Sequence, residues 1–414
     1  MTSPHPRPPA FAALQHRGYR GFVLGNAVAM MADNTEHVIS YWVLYQKFHS
    51  PALGAFAVIS HWVPFLLFSG MAGALADRFD PRRIIQLGML LFMAVSVGWG
   101  LLFLGGHPQL WQCWLLLALH GIAGVLWTPT SQVLVYDIVG PAHLQSAVRL
   151  NASGRYLGTL LGPAAGNLLM IALGPAYGIL LNALVYLPLL LWLRKPRFER
   201  HADAIPRDAR PAAGWSEIVA TLRSLTGNRQ LIAMTMLAGA ASLFVGTAYQ
   251  AQMPGFAEDL GLHDAGTSYA ALLGADAAGA IAAALLLEGG GWLQATPGGA
   301  LWLGALWCLA IGGFALSSGY AVTLPLLFAA GFFELTFGAM AQTIVQVQAP
   351  PARRGRIIGL YITASLGLRA FSGISVGLGA TLLGVHLALA LSAAALLACI
   401  AAIAWWYRYR SACR

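Results

Sequence analysis

The chain has 414 residues, 58% of them hydrophobic and only 9% charged, with a formal net charge of +9. Soluble domains carry about 25% charged residues. A chain this poor in charge cannot cover a water-exposed surface, so lipid must be the solvent for most of it. The basic residues fall in short loops between long apolar runs, a pattern of membrane orientation that excludes nucleic-acid binding as the reason for the positive charge.

The N-terminal stretch, MTSPHPRPPAFAALQHRGYR, is proline-rich and polar. It lacks the compact apolar core and cleavage site of a signal peptide, so the first apolar run reads as a retained span. A spanning helix needs about 20 apolar residues. Twelve runs qualify: 21–46, 52–76, 83–105, 109–136, 146–173, 175–194, 229–254, 264–288, 299–317, 321–347, 354–383 and 385–407. Several exceed the minimum and imply tilt. Glycine and proline are frequent inside them, as spanning helices tolerate. The predicted fold is therefore an all-α integral membrane protein of twelve transmembrane helices.

The longest polar stretch, roughly 195–228, divides the chain. The predicted organisation is an N-terminal six-helix half (1–194), a linker (195–228) and a C-terminal six-helix half (229–414). A weak internal repeat supports the division. Pro141-Ala142 matches Pro351-Ala352 at an offset of 210, and Gly162 and Gly166 match Gly373 and Gly377 at 211. Two similar halves predict a pseudo-twofold transporter with its substrate site between them near mid-membrane. With the N-terminus cytoplasmic, 21 of the 24 Lys and Arg fall in or beside cytoplasmic segments. Only Lys47 lies outside, while Glu258, Asp259 and Asp264 occupy an outer loop. The positive-inside rule then predicts that both termini are cytoplasmic. Cys113, Cys308, Cys399 and Cys413 have neither disulfide-framework nor metal spacing and read as small core residues.

Residues 73–83 read GALADRFDPRR, with the small Gly73, the acid Asp77 and the basic cluster Arg78, Arg82 and Arg83. This resembles the signature loop of the major facilitator superfamily, between helices 2 and 3. The resemblance implies charged hydrogen bonds to helix ends of the opposite half when the cytoplasmic gate is shut. Pro129, Pro141, Leu144, Ala147, Leu150-Asn151, Gly174-Pro175 and Asn182 are similar to the enterobactin-exporter and macrolide-efflux branch, as are Met31-Ala32-Asp33 and Arg354-Gly355-Arg356. Gly158, Gly162-Pro163-Ala164 and Gly166 resemble the helix 5 motif of drug and metabolite antiporters, where small residues let helix 5 approach its neighbour and the proline bends it. Two features depart from the pattern. The second copy of the signature loop, EGGGWLQATPGG at 288–299, has no basic residue, and Arg369 stands where the family usually has an apolar residue.

Charges inside lipid are costly and point to function. Asp33 lies near mid-depth of the first span, and Glu36 follows one turn on, on the same face. Two carboxylates this close in a poorly hydrated place do not both ionise easily, which suits them to carry the coupling proton. The bland alternative is hydrogen bonding to neighbouring helices or an arginine. Arg155 and Arg369 are deep cations; Asp276 and Glu334 are deep anions. Three readings stand for them: a breakable Arg155–Asp276 gate, arginines that hold an anionic substrate group, or static pairs that make burial tolerable. Asn34 is placed to orient Asp33. His37, Tyr41, Trp62 and Trp127 are cavity candidates, with Tyr45 and Trp42 as further aromatics. His61 lies within a span, and His120 reads as a packing residue. Asp137 reads as a gate residue.

No phosphate loop, metal-ligand cluster or nucleophile motif is present, so neither cofactor nor metal nor enzymatic activity is predicted. The reading is a proton-coupled antiporter of a bacterial cytoplasmic membrane, working by alternating access as a monomer in its lipid bilayer and without nucleic acid. Helices 1, 4, 7 and 10 line the cavity, as the resemblance implies. The resemblance and the two arginines favour a siderophore. A general multidrug or macrolide pump is the alternative, and a non-transporting membrane sensor or binding subunit a third reading.

Overall fold

The computed structural model describes residues 11–48, 51–194, 219–223, 227–246, 248–260, 265–290 and 294–412, and the described residues are helical almost throughout. Most of the 195–228 linker, Asp264, Cys413 and residues 291–293 of the second loop lie outside them, as do the side chains of Tyr45, Glu258, Gly373 and Gly377. In chain order the helices are α1 (Arg17–Phe48), α2 (Pro51–Arg78), α3 (Pro81–Leu104), α4 (Leu110–Val185), α5 (Leu187–Arg194), α6 (Arg229–Phe244), α7 (Ala248–Asp259), α8 (Ala265–Gly290), α9 (Pro297–Leu316), α10 (Tyr320–Gln348), α11 (Arg354–Ile362), α12 (Arg369–Leu383) and α13 (Val385–Ala412).

Local chemistry starts and stops these helices. Asp80 caps α3 by accepting the Arg82 N–H at 3.0 Å, with Pro81 in the first turn. Asn228 caps α6 and Thr296 caps α9 in the same way. Each cap satisfies backbone donors that the helix itself leaves open. The 76 residues of α4 are not one rod. Gly140 (φ 68°, ψ 178°) and Gly174 (φ 75°, ψ 164°) reverse the chain, as Gly384 (φ 81°, ψ 155°) does between α12 and α13. That backbone region is essentially closed to residues with a Cβ. Pro141 and Pro175 then start the following segments, where a missing N–H does no harm.

Two predicted spans are interrupted. The seventh breaks after Phe244, with Gly246 at φ 49°, and the eleventh contains a π-helical turn over Thr363–Gly367. Such turns leave the regular hydrogen-bond ladder and bend the helix at that depth.

Five helical stretches among the described residues are long and apolar enough to cross a membrane: Pro81–Leu104, Leu110–Arg194, Pro297–Leu316, Tyr320–Gln348 and Val385–Arg408. The twelve predicted spans exceed this number for physical reasons. Leu110–Arg194 holds three of them in one stretch, α1 is diluted by its deep polar residues, and α6 has only 16 residues. Large apolar side chains cover the outside, Ile171 being 86% and Leu382 83% exposed, as expected where lipid is the solvent.

One hydrophobic cluster is built from residues 13–193, including Phe22, Met89 and Tyr186, joined by Ala339. Another is drawn largely from residues 231–403 and is joined by Phe65, Ala72 and Val125. The seam between the two runs along α2, α4, α10 and α11, and the polar residues of interest lie beside it.

Candidate functional site

Close backbone approaches bring the charged residues together. On α10, a Cβ added at Gly331 would stand 3.1 Å from the Ala280 nitrogen and against the Asp276 carbonyl; one added at Gly279 would stand 3.0 Å from Phe328 Cα. With α8 and α10 in backbone contact, Asp276 and Glu334 converge on one hydroxyl. Tyr249 Oη lies 3.2 Å from both Asp276 oxygens and 3.1 Å from Glu334 Oε2. One hydroxyl has a single proton to give. Asp276 also accepts from Gln250 Nε2 at 3.0 Å, and Glu334 faces Arg369 at 3.9 Å.

Asp276, Glu334, Arg369 and Arg155 all line one cavity of about 510 Å³ between α1, α4, α6, α7, α8, α9, α10 and the α11–α12 region. All four predicted deep charges are thus brought together. The two helix interruptions, at Gly246 and at Ser365 in the π turn, line the same cavity. The Arg369 guanidinium lies 5.3 Å over the Trp62 ring, a cation–π contact. A second approach allows this: a Cβ at Gly367 would stand 2.6 Å from Leu66 Cα, and one at Gly359 2.9 Å from Gly70 Cα. The α2 helix and the π turn are therefore held at backbone distance.

Asp33 and Glu36 do not line this cavity. Their neighbour Asn34 does, because successive helical residues point about 100° apart. Asn34 donates to its own helix at Met30 O, 2.8 Å away. The two acids are buried with His120 between them. His120 Nε2 is 2.9 Å from Asp33 Oδ1, and Nδ1 is 2.8 Å from Glu36 Oε1. The Ser96 hydroxyl donates to the other Glu36 oxygen. His120, expected only to pack, is the residue that joins the two predicted acids. His37 Nδ1 lies 3.8 Å from Asp33 Oδ2, and its ring packs against Tyr41, His61 and His120.

Trp127 is a correction to the cavity set. Its indole N–H donates at 2.9 Å to Asn26, whose amide donates to Asn151, and the ring packs on Phe92 inside the first cluster. Tyr41 and Trp62 sit beside the histidines and Arg369 rather than on the cavity wall. A single sequence does not tell which face of a span meets a cavity and which meets a neighbour.

The glycine motif of the fifth predicted span supports the acid cluster. A Cβ at Gly158 would stand 2.8 Å from both Ala27 O and Met30 Cβ, and one at Gly166 3.3 Å from Thr35 O. At Gly162 it would stand 3.0 Å from Met31 O, and Thr35 Oγ1 donates to the Gly162 carbonyl at 3.1 Å. Three glycines one turn apart thus hold α1 against the middle of α4, with Pro163 facing the cavity.

The signature loop joins α2 to α11. Asp77, buried at the end of α2, accepts the Gly355 N–H at 2.6 Å and the Arg356 N–H at 3.0 Å. A carboxylate here meets the free donors and positive end of α11. Gly73 lets the backbones of α2 and α11 touch, since a Cβ there would meet Gly355. The loop's basic residues do other work: Arg82 pairs with Asp80 at 2.7 Å, Arg78 lies over Phe79, and Arg83 is exposed. Arg354 stacks 3.6 Å over Tyr136. Deeper in, Gln132 accepts from Gln342 and, at 2.9 Å, from Gln346. Gln132 and Gln342 are 210 residues apart, the offset of the sequence repeat, and Gly174 and Gly384 share it.

A profile described as the transmembrane secretion effector matches residues 9–411. Among curated relatives, an uncharacterized MFS-type transporter, YfiS of Bacillus subtilis, is 25% identical over 152 residues, covering 36% of this chain and 34% of YfiS. The multidrug resistance protein MdtH of Yersinia enterocolitica is 33% identical over 94 residues, 22% of each chain. The chain thus spans about a third or less of the curated relatives it matches. Among solved structures, the human organic anion transporter MFSD10 superposes with a TM-score of 0.72 at 14% identity, covering 93% of this chain and 99% of that one. The transporter FucP in its outward conformation gives 0.72 at 12%, covering 94% and 99%. These likenesses show the fold, and the profile match spans nearly the whole sequence. The chain belongs to the transmembrane secretion effector family of major facilitator transporters.

Proposed function

We propose that this transporter is a proton-coupled exporter of an organic solute in a bacterial cytoplasmic membrane. It works as a monomer of twelve spans with both termini cytoplasmic, and two six-helix halves, 1–194 and 229–414, rock about the central cavity. The observation that carries this reading is the cavity itself. It holds Arg155, Asp276, Glu334 and Arg369 between the halves and is shut at the signature-loop end by Asp77 on α11. Buried charges of both signs in a lipid-embedded bundle are kept for cargo or ion movement.

Asp33 and Glu36 carry the coupling proton, with His120 between them to pass it on. The cluster is one helix face away from the cavity, and α1 supplies both the cluster and Asn34 on the cavity wall. Protonation therefore changes the packing of a helix that the substrate also touches. When Asp77 releases α11, the cavity opens to the cytoplasm, substrate enters and the proton leaves.

The cargo is a siderophore with carboxylate or hydroxamate groups, which planar guanidinium groups grip in two-point contacts. A second reading, multidrug efflux, is favoured by the stretch shared with a multidrug resistance protein and by the apolar part of the wall, including Trp307, Phe337 and Leu366. Purified protein in proteoliposomes, energised by an imposed pH gradient, decides between them. Narrow uptake of iron chelators supports the first, and uptake of many dyes and antibiotics the second. Absence of gradient-driven accumulation of either class defeats the exporter reading.

A further inference from the structure

Beside the carboxylates, His37 of α1, His61 of α2 and His120 of α4 each offer a ring nitrogen, and these nitrogens lie within 4.8 Å of one another. Asp33 Oδ1 stands 2.9 Å from His120 Nε2, yet that nitrogen has no well-aligned hydrogen-bond partner. Tetrahedral ligand atoms with bonds of about 2.0–2.2 Å stand about 3.3–3.6 Å apart, and the three nitrogens, within 4.8 Å of one another, and the Asp33 oxygen bracket that spacing. His61 Nδ1 is also buried without a hydrogen-bond partner. On the far side of His120, Nδ1 is 2.8 Å from Glu36, which Ser96 holds in turn. A carboxylate behind an imidazole fixes its tautomer and turns its other nitrogen toward a metal.

The charge count points the same way. Asp33 and Glu36 bring two negative charges into a buried place. A dication supplies counter-charge to both at once. Three nitrogens and one carboxylate oxygen suit zinc, iron(II), cobalt or nickel, and not calcium or magnesium, which take all-oxygen sites. We infer that His37, His61, His120 and Asp33 form a binding site for a first-row divalent transition-metal ion, with Glu36 as the positioning residue behind His120. His37 and His61 are half-buried, which leaves their rings room to adjust about an ion. The inference does not rest on the exporter reading, and its test needs no transport.

The full-length protein, purified in detergent and stripped with a chelator, is titrated with Zn²⁺ by calorimetry and with Co²⁺ by visible absorption. The expected result is one ion per chain and the intense visible bands of a four-coordinate Co²⁺ site. His61→Gln and His37→Gln, at half-buried positions that tolerate the change, each weaken binding at least tenfold. Glu36→Gln weakens it about 10- to 100-fold. His16 and His143, 2.8 Å apart at another place, serve as the control pair, and replacing both leaves binding unchanged. No saturable binding overturns the site. So does binding that survives both His61→Gln and His37→Gln, or that disappears with His16 and His143.

Discussion

At the scale of single residues, three buried side chains meet in one cluster: Asp33, Glu36 and His120. Asp33 and Glu36 are recognisable in the sequence because charge in lipid is costly and rare. His120 is not, because its role comes from which neighbours it meets across three helices. Asp33→Asn keeps the shape and removes the titratable oxygen. It should abolish uphill efflux in energised proteoliposomes while leaving the amount of protein in the membrane unchanged; full activity would remove Asp33 from the proton path. Arg369 makes a different kind of test. Its planar guanidinium stacks on Trp62 and faces Glu334, and a lysine keeps the charge without the plane. Arg369→Lys should lower transport of an anionic cargo about tenfold, since lysine keeps the charge but loses the planar fork that grips a carboxylate at two points. Equal rates for the two proteins would show that the charge alone matters.

At the scale of helices, glycines set the distances. The glycine series in the fifth predicted span was legible as a close-packing motif, but its partner was not; the structure shows it is α1, the helix of both acids. Gly162→Leu should wedge the two helices apart. Overpacking of this kind costs about 1–3 kcal/mol, which thermal unfolding of the purified protein should register as a lower midpoint. The latch is the second helical device. Asp77→Ala removes two hydrogen bonds to the start of α11, and losing a cap costs about 0.5–2 kcal/mol. The balance between closed and open ends should shift toward open by several-fold. Spin-label distances between the end of α2 and the start of α11 would lengthen; an unchanged distance distribution would remove Asp77 from the gate.

At the scale of the whole molecule, the proposed coupling predicts dependence on the gradient. Efflux should stop when an uncoupler collapses the pH difference, and a reversed gradient should drive the cargo the other way. Composition and hydropathy reveal lipid as the solvent and a chain of long helices, because these are properties of each segment against its solvent. The 73–83 loop and the glycine motif carry the superfamily likeness, because turns and close approaches demand particular residues at particular spacings. Which side chains meet was a matter for tertiary structure alone. Helix packing brings Asp276 and Glu334 to Tyr249, sets Trp127 into a core and Trp62 under Arg369, and gathers histidines from three helices around Asp33. A spanning helix is apolar on nearly every face, so its sequence lacks the polar stripe that tells a soluble helix which side points inward, and the neighbours are chosen only when the backbones pack.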